Sequence, residues 1–77
     1  MGLSPNVYNN PRMVTINGER KDIPSGTTLA GILNSLSLRP EQVAIELNRA
    51  IVKRDRWNET VVADGSEIEI VQFVGGG

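Results

Sequence analysis

TLAGILNSL, Thr28 to Leu36, is the one place in this chain where apolar residues recur with a helical period. Leu29, Ile32, Leu33 and Leu36 stand at i, i+3, i+4 and i+7, the stripe of an amphipathic helix lying on a core. Thr27 or Thr28 offers the hydroxyl that caps the first turn. Gly31 lowers the helix preference relative to Ala and marks a point where the backbone comes close to a sheet. Arg39-Pro40 closes the element, because the residue before proline is pushed out of the α region.

The flanks of this helix read as strands. VTINGERKDI (14–23) is a hairpin: Val14 and Ile16 alternate with Thr15, and Asn17-Gly18 tolerates the positive φ of both central positions of a type I′ turn. The return strand is polar apart from Ile23, so one face meets water, and Pro24-Ser25-Gly26 ends it. VAIELN (43–48) puts Val43, Ile45 and Leu47 on one face and Ala44, Glu46 and Asn48 on the other. Ala50-Ile51-Val52 is a shorter apolar piece that suits an edge strand. DRWNE suggests a helical turn with Trp57 as its apolar plug, and Asp64-Gly65 a tight turn. EIEIVQFV (67–74) is the last strand, with Ile68 and Ile70 opposite Glu67 and Glu69.

The order is therefore β-β-α-β-(β)-β with a single long helix. One helix cannot cover both faces of a sheet, so the expected class is α+β: a mixed, mainly antiparallel sheet of about five short strands curled around that helix. This is the order of a β-grasp fold, as in ubiquitin. The domain is expected over residues 13–74, preceded by a disordered extension (1–12) holding Pro5, Pro11 and three Asn, and followed by a flexible glycine tail (75–77).

Composition narrows the chemistry. A chain of 77 residues holds one core. It has no Cys and no His, which removes disulfides, thiol nucleophiles, the commonest general base and the preferred transition-metal ligands. Eight Lys+Arg against nine Asp+Glu leave a net charge of −1, so no global field favours nucleic acid or anionic lipid. The densest basic stretch, with Arg49, Lys53, Arg54 and Arg56, also contains Asp55 and Glu59. It reads first as a solvated loop, with a phosphate or acidic-partner contact as the alternative. No apolar run is long enough to span a membrane, and MGLSPNVYNNPR lacks the apolar region of a secretory signal. Asn6 stands where the myristoylation pattern needs Ser or Thr. The expected location is the cytoplasm.

Two features remain at the end of the chain. Val71 and Phe73 share a face with Glu67 and Glu69, away from Ile68 and Ile70. Either a bulge or the N-terminal arm covers them, or they form an exposed apolar patch flanked by acidic residues that steer a partner. Glu67 and Glu69 also share a face in the manner of an acid–base pair, but with no convergent His or Lys they read as solvated surface. Gly75-Gly76-Gly77 then follows directly on a strand, either as a frayed end or as a thread that enters another protein's active site. Without Cβ atoms this segment has the smallest cross-section a chain can have, and a narrow channel can admit it. Gly77 would present its α-carboxylate there for conversion to an acyl-adenylate, which a persulfide or thiolate can attack.

Several of these pieces together resemble the ThiS family, the sulfur carriers of thiamine (thiazole) biosynthesis. They are the Asn17-Gly18 hairpin, TLAGILNSL, AIELNRAIVKRDRW with Arg54 and Trp57, and DGSEIEIVQFVGGG from Asp64, so the resemblance covers Met13 to Gly77. It implies a ubiquitin-like protein that is not itself an enzyme and binds no cofactor. A separate E1-like adenylyltransferase of the ThiF type, using ATP and Mg, would recognise Gly75 and Gly76 and adenylate Gly77. A sulfur donor system would convert Gly77 to a thiocarboxylate, and a thiazole synthase of the ThiG type would receive the sulfur. Val71, Phe73, Val74, Glu67 and Glu69 would contact the activating enzyme. Neither nucleic acid nor membrane is an expected partner, and the resting state is expected to be a monomer. The alternatives are a MoaD-like small subunit of molybdopterin synthase, a carrier for another sulfur-transfer pathway, a β-grasp interaction module that carries nothing, and a small carboxylate hydrolase.

Overall fold

The computed structural model describes residues 10–73. Within them β1 (Arg12–Ile16) and β2 (Glu19–Ile23) precede the helix α1 (Leu29–Ser35). A short 3₁₀ turn (Pro40–Gln42) leads to β3 (Val43–Leu47) and β4 (Ala50–Val52). A second turn (Arg54–Arg56) precedes β5 (Glu67–Gln72). The strands form one sheet in the order β2-β1-β5-β3-β4, with β1 and β5 parallel and every other pair antiparallel. The expected mixed sheet over one helix, the β-grasp arrangement, is what the chain adopts. β1 opens at Arg12, two residues ahead of Val14, where the expected hairpin begins.

Alternation explains which sheet face is buried. Val14, Ile16, Val43, Ile45, Ile68 and Ile70 point to α1 and meet Leu29, Ile32 and Leu33 there. Leu36, expected to complete the helical stripe, is instead the C-cap and is 39% exposed. The helix stops because Ser37 turns to φ 58°, and the Leu38 and Ser37 amides then donate to the carbonyls of Leu33 (3.0 Å) and Asn34 (3.1 Å). That is a Schellman closure, with Leu38 folding back on the core. Arg39-Pro40 therefore starts the next turn rather than ending the helix.

At the other end, the Thr28 hydroxyl accepts from the Gly31 amide at 3.0 Å. The Leu29 and Ala30 amides, which no helical carbonyl can reach, donate to the carbonyls of Thr60 and Trp57. A Cβ on Gly31 would meet Thr27 and Thr28 at 3.4 and 3.5 Å. Gly31 thus lies against the cap, not against the sheet as its position suggested. Trp57 fills the corner as expected. It is 4% exposed and donates its indole N–H to the Val52 carbonyl at 2.8 Å.

Two asparagines tie β5 to its neighbours. Asn17 turns the first hairpin with φ 51°, followed by Gly18 at 84°. Its side-chain amide also reaches β5, accepting from the Ile70 N–H at 2.7 Å and donating to the Ile70 carbonyl at 3.2 Å. It therefore extends the β1–β5 ladder one step past the end of β1. On the other side, Asn48 (φ 52°) donates its N–H to the Glu67 carbonyl, and its Oδ1 accepts from the Glu67 N–H at 2.9 Å. Asn17→Gly keeps the turn unstrained and removes only the side chain. It is expected to cost about 2 kcal/mol in urea unfolding, because Ile70 loses both partners. A loss under about 0.5 kcal/mol would show that water replaces the amide freely.

Candidate functional site at the end of the last strand

The site is built on the sheet face that α1 does not cover. β5 pairs with β3 without interruption from Leu47↔Ile68 to Val43↔Gln72, and the Phe73 amide donates to the Gln42 carbonyl at 2.7 Å. A bulge at Val71 is thereby excluded. β5 ends at Gln72, short of the expected 67–74. Glu67, Glu69 and Val71 alternate outward along it, and Phe73 follows at the same spacing, held by its bond to Gln42. Val71 is 57% and Phe73 52% exposed. Among the described residues nothing lies over them. Cover by the N-terminal arm concerns residues 1–9, which lie outside the described residues together with Val74, Gly75, Gly76 and Gly77.

Register adds residues that alternation along one strand cannot supply. Ala44 stands opposite Val71, Glu46 opposite Glu69, and Ile51 opposite Glu46. The outward face therefore carries Val71 and Phe73 at one end, Ile51 at the β4 border, and three carboxylates between. Glu67 lies 3.7 Å from Arg49 in solvent, whereas Glu46 and Glu69 have no ion pair among the described residues. Like charges directly opposite one another on neighbouring strands repel. Glu46→Gln is accordingly expected to raise the melting temperature slightly, by an amount equivalent to about 0.2–1 kcal/mol. An unchanged or lower value would show that solvent screens the pair fully.

Glu67 and Glu69 are exposed side chains on the outward face of β5. No group of three metal-ligating side chains occurs among the described residues. What the face offers is apolar area beside two carboxylates, Glu46 and Glu69, that have no ion pair among the described residues, next to a strand end from which four further residues lead to Gly77. A four-residue segment spans at most about 14 Å.

The sequence profile of the ThiS family matches residues 12–77. The chain belongs to the ThiS family. The sulfur carrier protein ThiS of Bacillus subtilis is 36% identical over 66 residues, which are 84% of this chain and all of that one. A crystal structure of the thiamine biosynthesis protein ThiS from Geobacter metallireducens superposes with a TM-score of 0.72 at 29% identity. That superposition covers 84% of this chain and 99% of the other. A thiazole synthase of Magnetococcus marinus is 42% identical over 64 residues, or 83% of this chain. This ThiS-family chain spans only 20% of that protein's length.

Proposed function

We propose that this chain is a sulfur carrier of thiamine biosynthesis and acts through Gly77. The observation that carries the reading is the ThiS-family match, whose span of residues 12–77 includes Gly76-Gly77. A carboxylate is a poor acyl donor. Attack of the Gly77 carboxylate on the α-phosphorus of ATP releases pyrophosphate and leaves an acyl-adenylate. Hydrosulfide then displaces AMP to give the thiocarboxylate directly, or a persulfide displaces AMP to give an acyl disulfide. A thiol cleaves the S–S bond of that acyl disulfide, which releases the thiocarboxylate and leaves a disulfide on the donor. The chain is the substrate in each step, and a separate E1-like adenylyltransferase supplies the catalysis with ATP and Mg. The folded part serves as the handle: Val71 and Phe73 supply apolar area, with Val74 beside them in sequence, and Glu67 and Glu69 steer a basic partner surface.

The thiazole synthases of Magnetococcus marinus and Paramagnetospirillum magneticum each contain a stretch similar to this chain. A carrier joined to its acceptor meets it at high effective concentration, so this arrangement supports a thiazole synthase as the sulfur acceptor here. Phe73→Ala tests the handle. It is expected to leave the melting temperature within about 2 °C, since Phe73 is half exposed, and to weaken binding to the activating enzyme by at least about tenfold. Large destabilisation with unchanged binding would remove the patch from the mechanism.

The deciding experiment is the intact mass and C-terminal peptide of untagged protein from its own cells, starved of thiamine. A gain equal to one oxygen replaced by sulfur at Gly77 is expected. An unmodified carboxylate there, and again after incubation with ATP, activating enzyme and a sulfur donor, would leave a β-grasp interaction module.

A further inference from the structure

Half of the eight basic residues fall in positions 49–56, which hold one acidic residue, Asp55. The fold gathers them on one border of the sheet. Arg49 sits in the β3–β4 turn, Lys53 follows β4, and Arg54 and Arg56 belong to the next turn. All four are exposed. Arg56 pairs with Glu59 at 3.2 Å, while Lys53 and Arg54 have no ion pair among the described residues.

β4 is the border strand, so no described strand pairs with its outer edge. The two-residue turn makes Leu47 and Ala50 a hydrogen-bonded pair, and the alternation of an antiparallel ladder then turns the N–H and C=O of Ile51 toward the free edge. The Ile51 side chain is 75% exposed, the highest value among the exposed large apolar residues described. Beside it runs a groove lined by Ile51, Lys53, Asp55, Arg56 and Thr60. Charged residues often guard sheet edges against unwanted pairing. A purely defensive border would place its charge at the centre of the strand, where this one has an uncovered isoleucine with cations around it.

We infer that the β4 border is a docking site for an extended acidic polypeptide segment. The segment adds as a short strand at Ile51, covers that side chain with an apolar residue, and sets carboxylates against Lys53, Arg54 and Arg56. A nucleic acid fits less well, because it has no peptide N–H and C=O groups to pair with the free edge of β4 at Ile51. The site is separate from the end of β5 and holds whether or not Gly77 is activated.

The test is an amide NMR titration of the isotope-labelled full chain at low salt with a short capped peptide of alternating Glu and Val. Shifts confined to Ile51–Thr60 and the Asn48-Arg49 turn are expected. Added salt should weaken the binding, and the paired change Lys53→Glu with Arg54→Glu should weaken it by at least about tenfold. Both side chains are exposed, so unchanged circular dichroism should accompany that loss. Four results would each overturn the inference: no response at millimolar peptide; shifts confined to the β5 face; an equal response to the matching Lys-Val peptide or a stronger one to a single-stranded oligonucleotide; or self-association of the charge-reversed variant while the parent ignores the peptide. The last would identify an edge guard only.

Discussion

Deletion of Gly77 is expected to abolish thiocarboxylate formation while leaving the fold intact. The shortened chain still ends in a glycine carboxylate, on Gly76, so the chemistry of the group is unchanged. Its position is not. One residue fewer withdraws the reacting carbon by about 3.5 Å along an extended chain, and misplacement by even about 1 Å can cost a hundredfold in an oriented reaction. The strand cannot slide forward to compensate. Phe73 is bonded to Gln42, and Ile68 and Ile70 are locked into the core. The rate of activating-enzyme-dependent exchange of pyrophosphate into ATP should fall by at least about a thousandfold, with the urea midpoint unchanged. Retention of a tenth or more of the rate would mean that the enzyme does not measure the length of the tail.

The second large effect concerns stability. Trp57→Ala removes the one indole in the core and leaves the Val52 carbonyl without its donor. A buried aromatic cut to alanine costs about 3–5 kcal/mol, and a domain of this size holds only about 3–5 kcal/mol in total. The variant is expected to be largely unfolded at 37 °C, with a collapsed amide spectrum. Trp57→Phe keeps most of the apolar volume and loses the hydrogen bond, and should fall between the two by about 1–3 kcal/mol. A sigmoidal urea transition for Trp57→Ala shifted by less than about 2 kcal/mol would show that the corner repacks. The same loss should release the Arg54–Arg56 turn, since the Trp57 amide closes it on Arg54 and the indole pins it to β4.

Much of the fold could be read from short-range chemistry. The Asn17-Gly18 turn, the Thr28 cap, the alternation in β3 and β5, and the plug at Trp57 each depend on residues within a few positions of one another. The misread helix end shows the limit of that method. Ser37 carries no sequence signal for a positive φ, and the Schellman closure was chosen by Leu38 packing into the core. The Asn48-Arg49 turn has positive φ at both residues, and Arg is not a residue that ordinarily marks a left-handed turn.

The candidate site divides in the same way. From the sequence alone, Glu67, Glu69, Val71 and Phe73 share one face of one strand, and a glycine thread follows them. The edge position of Ala50-Ile51-Val52 and the basic stretch around it are already legible in the sequence as well. Tertiary structure alone decided that this face stays uncovered among residues 10–73 and that Glu46 opposes Glu69. Those facts depend on strand order and register, which couple residues some 20 to 50 positions apart, such as Thr15 with Glu67 and Glu46 with Glu69. Local patterning states which way each side chain points. Only the packing of the whole sheet against α1 selects its neighbours, because a slip of one residue would turn every buried side chain to solvent.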